Sequence, residues 1–525
     1  MSSSTQSWWQ HGVIYQVYPR SFQDTTGSGT GDLRGIIQRL DYIQELGVSA
    51  IWLNPFYESP MADFGYDISD YDRVDPLFGT NADLEELLVQ AHRRGLKIIL
   101  DLVLNHTSEK HPWFQESKSS RDNPKRDWYV WRDEPNNWES IFGGTAWEHD
   151  PVTQQYYYHA FLKEQPDLNL RNPEVTTALH EMVRRYLELG VDGFRLDATN
   201  TFFEDAEFRD NPEKCYHPEP EASLVATQER VHNYDHELNF TLLDDLSKLV
   251  HSYPNRMLVG EVGREGKDTN AWKEYYGACD ERLDLVFNFD LLYGELSAER
   301  FRKTITLWEG IPDCKWPSYT FSSHDQIRGV SKFKPAGLDH KHRAKLLALF
   351  LLTVRGTPFV YYGDELGLEE VTPLPKEAIQ DPWAIRNDYQ VPTRDGCRTP
   401  MLWDTTEFAG FSASRPWLPV HGNFAELNVK TQTQDSDSIL NFYRELIALR
   451  QATPALYEGK LELREAGFSV CQFTRTYKNQ VYRVTINLGS KPVRLQTPGN
   501  VLISAELNAD LLGGYGYCLE EMSAK

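Results

Sequence analysis

Charged side chains stand near the carboxyl ends of several short apolar segments of this sequence. Arg195 and Asp197 lie two residues apart in GVDGFRLDA, Glu261 lies in MLVGEV, and His324 and Asp325 end YTFSSHD. Carboxylates that share one site are unfavourable unless one is protonated or paired, so a converging set indicates acid–base chemistry. A carboxylate pair about 5–5.5 Å apart is what retaining glycoside hydrolysis requires, one group attacking the sugar and the other protonating the leaving oxygen.

Each of these residues taken singly also has a structural interpretation. An aspartate at a strand end is more typical of a turn or a helix cap than of catalysis. We interpret Asp101, in KIILDLVLNH, as a group that orders its neighbours, and Asp192, inside an apolar run, as purely structural. The structural interpretation is weaker for the set as a whole, because charged side chains from several separate segments would lie close together at one site.

The charged set must be positioned by an alternation of short β-rich segments and longer amphipathic ones. Strands are predicted over 13–19, 50–55, 97–106, 190–198, 257–262, 283–289, 319–325 and 357–365. Helices are predicted over segments such as 33–47, 81–95, 172–190 and 342–356, which end in the helix-stopping residue glycine. Eight such units predict an α/β fold, a closed parallel (β/α)8 TIM barrel with its active site at the carboxyl ends of the strands. A doubly wound sheet is the alternative, but it usually has fewer units and often a glycine-rich phosphate turn, which this sequence lacks.

Two interruptions and a change of pattern divide the chain. Residues 106–171 are polar, rich in Trp, Asn and Pro, and too long for a loop, so a subdomain inserted after the third strand is predicted. The Pro-rich stretch 366–437 predicts a wall or lid over the barrel mouth, and the helix 439–451 closes the barrel. Short alternating strands follow. We therefore predict a barrel over 1–105 and 172–454, the subdomain over 106–171, and an antiparallel β domain over 455–525.

Composition narrows the class of ligand. The 525 residues include 77 acidic and 54 basic side chains, a net charge of −23, which disfavours nucleic acid and anionic membranes as partners. The first residues lack a signal-peptide pattern, and no apolar run approaches the ~18 residues of a membrane helix. The expected location is the cytoplasm.

The six cysteines are scattered without a CxxC pair, which predicts reduced thiols, although their even number leaves disulfides open: Cys215, Cys279, Cys314, Cys397, Cys471 and Cys518.

Ordered motifs give this sequence a specific resemblance. DLVLNH, GFRLDA, GEV and SSHDQ resemble, in order and spacing, the four signature regions of the α-amylase superfamily, glycoside hydrolase family 13. The stretches WWQHGVIYQVYPRSFQD, DFGYDISDY, NNWESIFGGTAW, QPDLN, YYGDELG and RDGCRTPMLW resemble the α-glucosidase and oligo-1,6-glucosidase branch. The likeness runs over most of the chain, up to the C-terminal β segment.

The resemblance implies a role for each charged residue. Asp197 would be the nucleophile that forms a covalent glucosyl-enzyme intermediate, and Arg195 would keep its carboxylate ionised and aimed. Glu261 would be the general acid and base, with a pKa that rises as bound sugar excludes water. Asp325 would be a third catalytic carboxylate, which grips ring hydroxyls and favours the distorted sugar.

The resemblance also implies a binding pocket for the terminal glucose. His106 and His324 would bond its hydroxyls, Tyr66 would stack on its face, and Asp63 paired with Arg398 would hold the non-reducing end. That pair would close the pocket, so one terminal glucose would be released at a time.

The small Ala198 after the nucleophile goes with α-1,4 preference in this branch, where valine goes with α-1,6. The function implied is therefore a retaining exo-acting α-glucosidase acting on maltose and short malto-oligosaccharides. The alternative is an α-glucosyl transferase or a sucrose- or isomaltose-directed relative. A non-catalytic transporter partner of the same fold would lack the carboxylates that this chain keeps.

The loop DTTGSGTGD over 24–32 corresponds to a family loop that often binds calcium. Asp24 and Asp32 remain as candidate ligands for a structural Ca²⁺, but Thr26 and Ser28 offer only hydroxyls, which are weaker ligands for a hard cation. A plain glycine-rich turn is the other interpretation. The glycosidase chemistry itself requires no cofactor.

Overall fold

The computed structural model describes residues 7–214, 227–263, 271–279, 281–292, 297–495 and 499–523. Cys215, one of the cysteines predicted to be reduced, lies outside the described residues. No helix of the described ranges is long and apolar enough to cross a membrane.

Eight parallel strands form the central sheet, and they are the eight that the sequence predicts. They are β1 Ile14–Val17, β2 Ala50–Leu53, β3 Lys97–Leu102, β4 Gly193–Leu196, β5 Met257–Glu261, β6 Leu285–Phe287, β7 Ser318–Tyr319 and β8 Thr357–Tyr361. The pairing order is β6-β5-β4-β3-β2-β1-β8-β7. Side chains bridge the seam between the two end strands, because Asn288 Nδ2 donates to Ser318 O at 3.1 Å and Ser318 Oγ donates to Val286 O at 2.6 Å. The predicted (β/α)8 barrel is confirmed.

The barrel strands are buried on both faces, since side-chain layers fill the interior and helices cover the outside. Gly47 and Gly190 end two of the predicted helices in left-handed conformations, with φ of 89° and 107°. The predicted helix 33–47 is interrupted at Arg39. Up to residue 353 the α-helices are Trp8–His11, Pro19–Phe22, Leu33–Gln38, Leu40–Leu46, Asn81–Arg93, Pro112–Ser117, Pro173–Leu189, Leu238–His251, Ala298–Trp308, Gly329–Lys332 and His340–Thr353.

Strand β7 is much shorter than predicted. It covers two residues, whereas the sequence pattern predicts a strand over 319–325. Beyond Tyr319 local bonds replace the ladder: Thr320 Oγ1 donates to Ser322 O at 2.7 Å, and Asp325 N donates to Ser323 Oγ at 3.2 Å. The turn that results carries the predicted site residues of this segment at the barrel mouth.

The insert after β3 has a small sheet of its own. Three antiparallel strands pair in the order Trp131–Arg132, Gln155–Tyr158, Trp147–Asp150. A separate aromatic cluster that includes Trp138, Trp147 and Tyr158 forms their core. The insert is tied to the end of β3 by an isolated bridge between His106 and Asp167.

The chain after β8 builds a wall and then a second sheet. The stretch predicted as irregular, 366–437, contains short helices, among them Pro382–Arg386 and Val429–Gln434. Helices Ile439–Ala452 and Pro454–Tyr457 follow. The antiparallel sheet expected after residue 455 consists of Lys460–Leu463, Val470–Tyr477, Gln480–Asn487, Val493–Arg494, Asn500–Asn508 and Leu511–Met522.

Cys279 and Cys314 form a disulfide, so the prediction of reduced thiols is wrong for this pair. The fold brings the connection after β5 against the loop before β7, with the two Cα atoms 5.4 Å apart, an ordinary separation for a disulfide. Sequence spacing alone could not show this, because 35 positions separate the two residues. Cys397, Cys471 and Cys518 are buried free thiols.

Candidate active site

The predicted catalytic residues lie at or just after the carboxyl ends of β4, β5 and β7. Of the predicted binding residues, Asp63 and Tyr66 follow β2 and Arg398 follows β8. Strand register sets the first pair, since Asp101 on β3 lies directly opposite Arg195 on β4. Val259 on β5 lies on the other side of Arg195, so Glu261, two residues further along β5, reaches the same edge. Side chains two residues apart on one strand share a face, which brings Asp197 to that edge as well.

Arg195 joins the carboxylates of three strands. Its Nη1 donates to Asp101 Oδ1 at 2.8 Å and to Asp197 Oδ1 at 2.7 Å, and its Nη2 donates to Glu261 Oε2 at 2.5 Å. Asp197 and Glu261 are thus separated by no more than the width of one guanidinium and two hydrogen bonds. A retaining pair, whose carboxyls lie about 5–5.5 Å apart, falls within that limit.

The two carboxyls open towards solvent, whereas the groups beneath them are sealed. The Asp197 side chain is 12% exposed and that of Glu261 is 24% exposed, but Arg195 is only 2% exposed. Asp101 is completely buried and also accepts bonds from Trp52 Nε1 at 3.2 Å. A sugar can therefore reach Asp197 and Glu261, while Arg195 and Asp101 act from below.

Burial sets the protonation of this pair. Burial raises the pKa of Glu261 to about 7. The positive charge of Arg195 lowers this pKa, and the negative charge of Asp197 raises it. Burial likewise raises the pKa of Asp197, which Arg195 opposes. Coupled carboxyls release their protons in steps that belong to the pair. Near neutral pH the site can hold one proton and one negative charge across the two groups.

The surroundings of Asp325 favour its ionised form. Although burial opposes ionisation, His324, Arg394 and Arg398 hold the pKa of Asp325 well below its usual range. His324 Nε2 lies 2.9 Å from Asp325 Oδ2, and Arg398 Nη2 donates to Oδ1 at 2.7 Å. Its side chain is 27% exposed, so it too reaches the space that a sugar would enter.

His324 and Tyr66 lie against each other below this carboxylate. Their rings are stacked with centroids 5.5 Å apart, and Tyr66 Oη lies 2.5 Å from His324 Nε2. Gln16 Nε2 lies 2.9 Å from Nδ1 and can only donate, so the proton of His324 belongs on Nε2. Burial lowers the pKa of His324, which keeps the ring neutral. Tyr66 donates in turn to Asp101 Oδ2 at 3.0 Å.

The closed end of the site differs from the prediction in its ion pairs. Asp63 pairs with Arg394 at 3.1 Å, whereas Arg398 pairs with Asp325, so the predicted Asp63–Arg398 pair is wrong. Both arginines belong to the quoted motif RDGCRTPMLW and lie on or next to the 3₁₀ turn Arg394–Cys397. The motif identified the two arginines. Because they are only four residues apart, the sequence could not show which carboxylate each arginine pairs with.

Two residues that sequence reasoning missed support the binding residues. Gln165 is buried, and its Nε2 donates to Asp63 Oδ2 at 3.3 Å and to His106 Nε2 at 3.0 Å. Burial lowers the pKa of His106 to about 3, so its ring is neutral. Asp381 pairs with Arg394 at 2.7 Å. The motif QPDLN contains Gln165 and could have indicated it, whereas no sequence signal marks Asp381.

Ala198 has an unusual backbone for its position. Its φ of 47° and ψ of 44° lie in the left-handed region, and its N–H donates to Glu261 Oε2 at 3.3 Å. The residue beside the nucleophile thus contacts the acid–base candidate through its backbone. Its methyl group occupies less space there than the branched side chain of a valine would.

The loop of Asp24 and Asp32 binds its own backbone. Asp24 accepts N–H bonds from Thr26 at 2.9 Å and Gly29 at 2.8 Å, and a hydroxyl bond from Ser412 at 2.6 Å. Asp32 accepts from Thr25 N and caps the helix that starts at Leu33. Carboxylates already surrounded by donors fit a calcium ion poorly, and across the described ranges no group of three His, Cys, Asp or Glu side chains could hold a metal. The calcium site stays a prediction.

Comparisons with known proteins agree with this geometry. The model of the α-amylase catalytic-domain family matches residues 16–459. A probable α-glucosidase of Rhizobium meliloti is 43% identical over 505 residues, covering 94% of this chain and 91% of the relative. An oligo-1,6-glucosidase of Parageobacillus thermoglucosidasius is 39% identical over 531 residues, covering 94% and 93%. The crystal structure of the α-glucosyl transfer enzyme XgtA superposes with a TM-score of 0.92 at 40% identity, covering 99% of this chain and all of that one.

Proposed function

The chain belongs to the α-amylase family of glycoside hydrolases, and we propose that it is a retaining exo-acting α-glucosidase that releases terminal glucose from maltose and short malto-oligosaccharides. The observation that carries the proposal is the contact of one buried guanidinium, that of Arg195, with both Asp197 and Glu261. The contact with Arg195 favours an anionic Asp197, and burial, which raises the pKa of Glu261 to about 7 against that same charge, supports a protonated acid beside it.

The proposed reaction proceeds in two displacements. A carboxylate oxygen of Asp197 attacks the anomeric carbon of the terminal glucose, while Glu261 gives its proton to the departing glycosidic oxygen. Glu261 then removes a proton from water, which attacks the anomeric carbon and releases Asp197. Entering sugar covers Glu261, the more exposed of the two carboxyls, so its pKa rises further and the proton settles there.

The sealed end of the site supports exo action. The Asp63–Arg394 pair and the buried Gln165 connect to His106 and Asp325. We expect the terminal glucose to fill this space, with Asp325 bonding hydroxyls of the ring that distorts in the transition state. A chain that continued past the terminal glucose would have to displace a buried ion pair, which is costly.

The linkage preference is proposed from Ala198. Its small side chain favours α-1,4 glucosides, although the relative from Parageobacillus thermoglucosidasius is named an oligo-1,6-glucosidase. The second candidate function is glucosyl transfer, which the likeness to XgtA favours. Transfer uses the same intermediate and differs only in whether a sugar hydroxyl or water attacks it.

One panel of substrates tests the proposal. Initial rates should be highest on maltose and maltotriose, lower on isomaltose and sucrose, and lowest on trehalose, with glucose as the first product. A faster reaction on isomaltose than on maltose would reject the linkage preference. Longer sugars in place of glucose at high maltose concentration would make the chain a transferase. Endo-cleavage of maltoheptaose to mid-length products would reject exo action.

The chemistry proposed here uses no cofactor. Calcium at Asp24 and Asp32 is proposed only as a structural addition, and chelation should leave activity unchanged if the loop is a plain turn. The cytoplasmic location is also a proposal. A Cys279–Cys314 disulfide is unusual in a reducing compartment, so thiol counting on protein freshly isolated from its source tests that location.

A further inference from the structure

The backbone that carries Glu261 is paired with β4 over only part of its length. The ladder between β4 and β5 ends with Leu196 opposite Gly260, one residue before Glu261. On the other side of β5 the ladder continues, since Glu261 lies opposite Phe287 on β6. The β4 side of Glu261 therefore has to be held by groups other than strand backbone.

Two side chains that follow β4 take the place of the missing ladder. Thr199 Oγ1 donates to the backbone oxygen of Glu261. Asn200 Oδ1 accepts from Gly263 N at 2.6 Å, and Asn200 Nδ2 donates to Gly263 O at 3.4 Å. A side-chain amide that bonds both backbone groups of one residue does what a neighbouring strand would do. The backbone is thus fixed at Glu261 and again two residues later.

The partners of Asn200 set the orientation of its amide. Nδ2 donates to Asp235 Oδ1 at 2.6 Å, and a carboxylate can only accept, whereas the backbone N–H of Gly263 can only donate. Tyr275 Oη also donates to Asp235 Oδ1, at 2.7 Å, and Asp235 N donates to Asn200 O at 2.9 Å. Asn200 is buried. Its Oδ1 therefore faces Gly263 in a single arrangement.

The turn that carries these two side chains is anchored by Asn239, in the first turn of the helix that follows. Asn239 Nδ2 donates to Thr199 O at 2.9 Å and to Asn200 O at 3.1 Å. Asn239 is completely buried. The turn begins at Ala198, whose N–H donates to Glu261 Oε2. One anchored turn thus contacts both the backbone and the carboxyl of Glu261.

Asp197 is held by different contacts. Its backbone N–H donates to Leu102 O on β3 at 3.1 Å, and Arg195 donates to its carboxyl. Glu261 must lie within hydrogen-bond reach of the glycosidic oxygen in order to protonate it. Loss of the Asn200 amide would therefore displace the acid more than the nucleophile.

We propose that Asn200 is a positioning residue for Glu261, which keeps the carboxyl of this acid–base group within reach of the glycosidic oxygen by pairing with the backbone of Gly263. The inference rests on the proposed function, because the position of Glu261 matters only if it protonates a departing sugar. Thr199 supports the same backbone, and Asp235 orients the Asn200 amide.

The test compares two variants with a matched control. Asn200→Ala removes the amide, and Thr199→Val removes only the hydroxyl at nearly unchanged volume. The control is Asn211→Ala. Asn211 is also a buried asparagine of the connection between β4 and β5, but its Nδ2 donates to Asn233 Oδ1 at 2.9 Å.

Substrates that differ in their need for a proton separate the acid from the nucleophile. We expect kcat/KM on maltose to fall about 100-fold in Asn200→Ala, the lower end of what general acid catalysis contributes. On α-glucosyl fluoride, whose fluoride leaves without a proton, kcat/KM should stay close to that of the wild type. Across substituted phenyl α-glucosides, kcat/KM should depend more steeply on the acidity of the departing phenol. Thr199→Val should show the same pattern with a smaller loss, and Asn211→Ala should resemble the wild type.

The two rates also separate positioning from folding. A loss of folded protein would lower both rates by one factor, because both substrates require Asp197. Equal losses on maltose and α-glucosyl fluoride in Asn200→Ala, wild-type rates on both, or the same selective loss in Asn211→Ala would overturn the inference. If Asn200→Ala does not fold, the same comparison in Thr199→Val decides. A wild type that cleaves neither substrate would instead refute the proposed function, and the inference with it.

Discussion

At the scale of single residues, one cation and the burial of the two carboxyls decide the chemistry that Asp197 and Glu261 can do. Arg195 bonds both carboxyls from a sealed position, and burial raises the pKa of Glu261 to about 7. An isolated carboxyl titrates near pH 4, so neither group would hold a proton at neutral pH in water. The site supplies the acid that a glycosidase requires by excluding solvent.

A pH profile follows from these pKa shifts. The active form has Asp197 ionised and Glu261 protonated. Below the lower pKa of the pair, Asp197 takes up a proton and stops attacking, and above the upper pKa Glu261 loses the proton that it must donate. We therefore expect a bell-shaped dependence of kcat/KM on pH, centred near neutrality, with maltose as substrate.

The control for that profile is Glu261→Gln assayed on an aryl α-glucoside whose leaving group needs no protonation. In this variant the fall in the rate of the first, glycosylation step at alkaline pH should disappear, while the fall at acidic pH remains. A kcat/KM in the wild type that stays flat from acidic to alkaline pH would contradict the assignment of the two carboxyls.

Sequence indicated the charged residues of the site and the contact of Arg195 with Asp197, but not the other ion pairs. Asp197, Glu261 and Asp325 could be located because they end predicted strands and match ordered motifs. The partner of Asp63 could not be assigned, since Arg394 and Arg398 share one turn and only coordinates separate them. Asp381 was not predicted as a site residue, because it lies in a segment whose sequence shows no helix or strand periodicity.

At the scale of elements, the ends of the strands divide the barrel into a reactive face and a structural one. Asp192, at the start of β4, is 2% exposed and accepts bonds from His92 Nε2 at 2.7 Å, Lys97 Nζ at 3.1 Å and Ile98 N at 3.0 Å. It ties the start of β4 to β3 and to the helix before β3. Charge at the amino-terminal face of such a barrel serves stability.

Asp192→Asn should lower the free energy of unfolding at pH 7 by about 2 kcal/mol, the size of a buried bond to a charged group. Burial opposes ionisation, but the bonds from His92 and Ile98 and the charge of Lys97 lower the pKa of Asp192 in the folded state. The carboxylate therefore contributes fully above its unfolded pKa of about 4, and the contribution is lost as pH falls through the folded pKa.

Denaturant unfolding of the wild type and of Asp192→Asn, at pH 7 and under acidic conditions, measures this difference in the free energy of unfolding. The matched control is Asp41→Asn, whose side chain is 72% exposed and pairs with Arg94 at the surface, and which should change stability little. Equal stabilities of the Asp192 and Asp41 variants at pH 7 would show that Asp192 is not a structural tie.

Element types were predictable and their lengths were less so. The alternation of apolar and amphipathic segments predicted every barrel strand, because parallel strands buried on both faces are continuous apolar runs. Strand β7 was predicted too long, since Thr320, Ser322 and Ser323 bond locally in place of a ladder. Where side chains bond the nearby backbone in this way, a hydropathy pattern cannot show where the strand ends.

At the scale of the whole molecule, the barrel, an inserted subdomain after β3 and the C-terminal antiparallel sheet were predictable from sequence, whereas the sheet inside the insert and the long-range covalent pairing were not. The Cys279–Cys314 disulfide joins connections that only the closed barrel brings together. The insert after β3 and the wall after β8 meet through Asn387 and Phe142, above the carboxylates of the barrel. The fold thus surrounds one small set of charged groups with elements drawn from most of the chain.

The central claim is that Asp197 becomes covalently attached to glucose, and trapping measures this directly. Glu261→Gln incubated with α-glucosyl fluoride should accumulate the intermediate, because fluoride leaves without an acid while the second step lacks its base. Mass spectrometry should then find one added glucosyl group, mapped to the peptide that contains Asp197, and none in the variant that also carries Asp197→Asn. A label on any other residue, or a glucose product of inverted configuration from the wild type, would contradict the account.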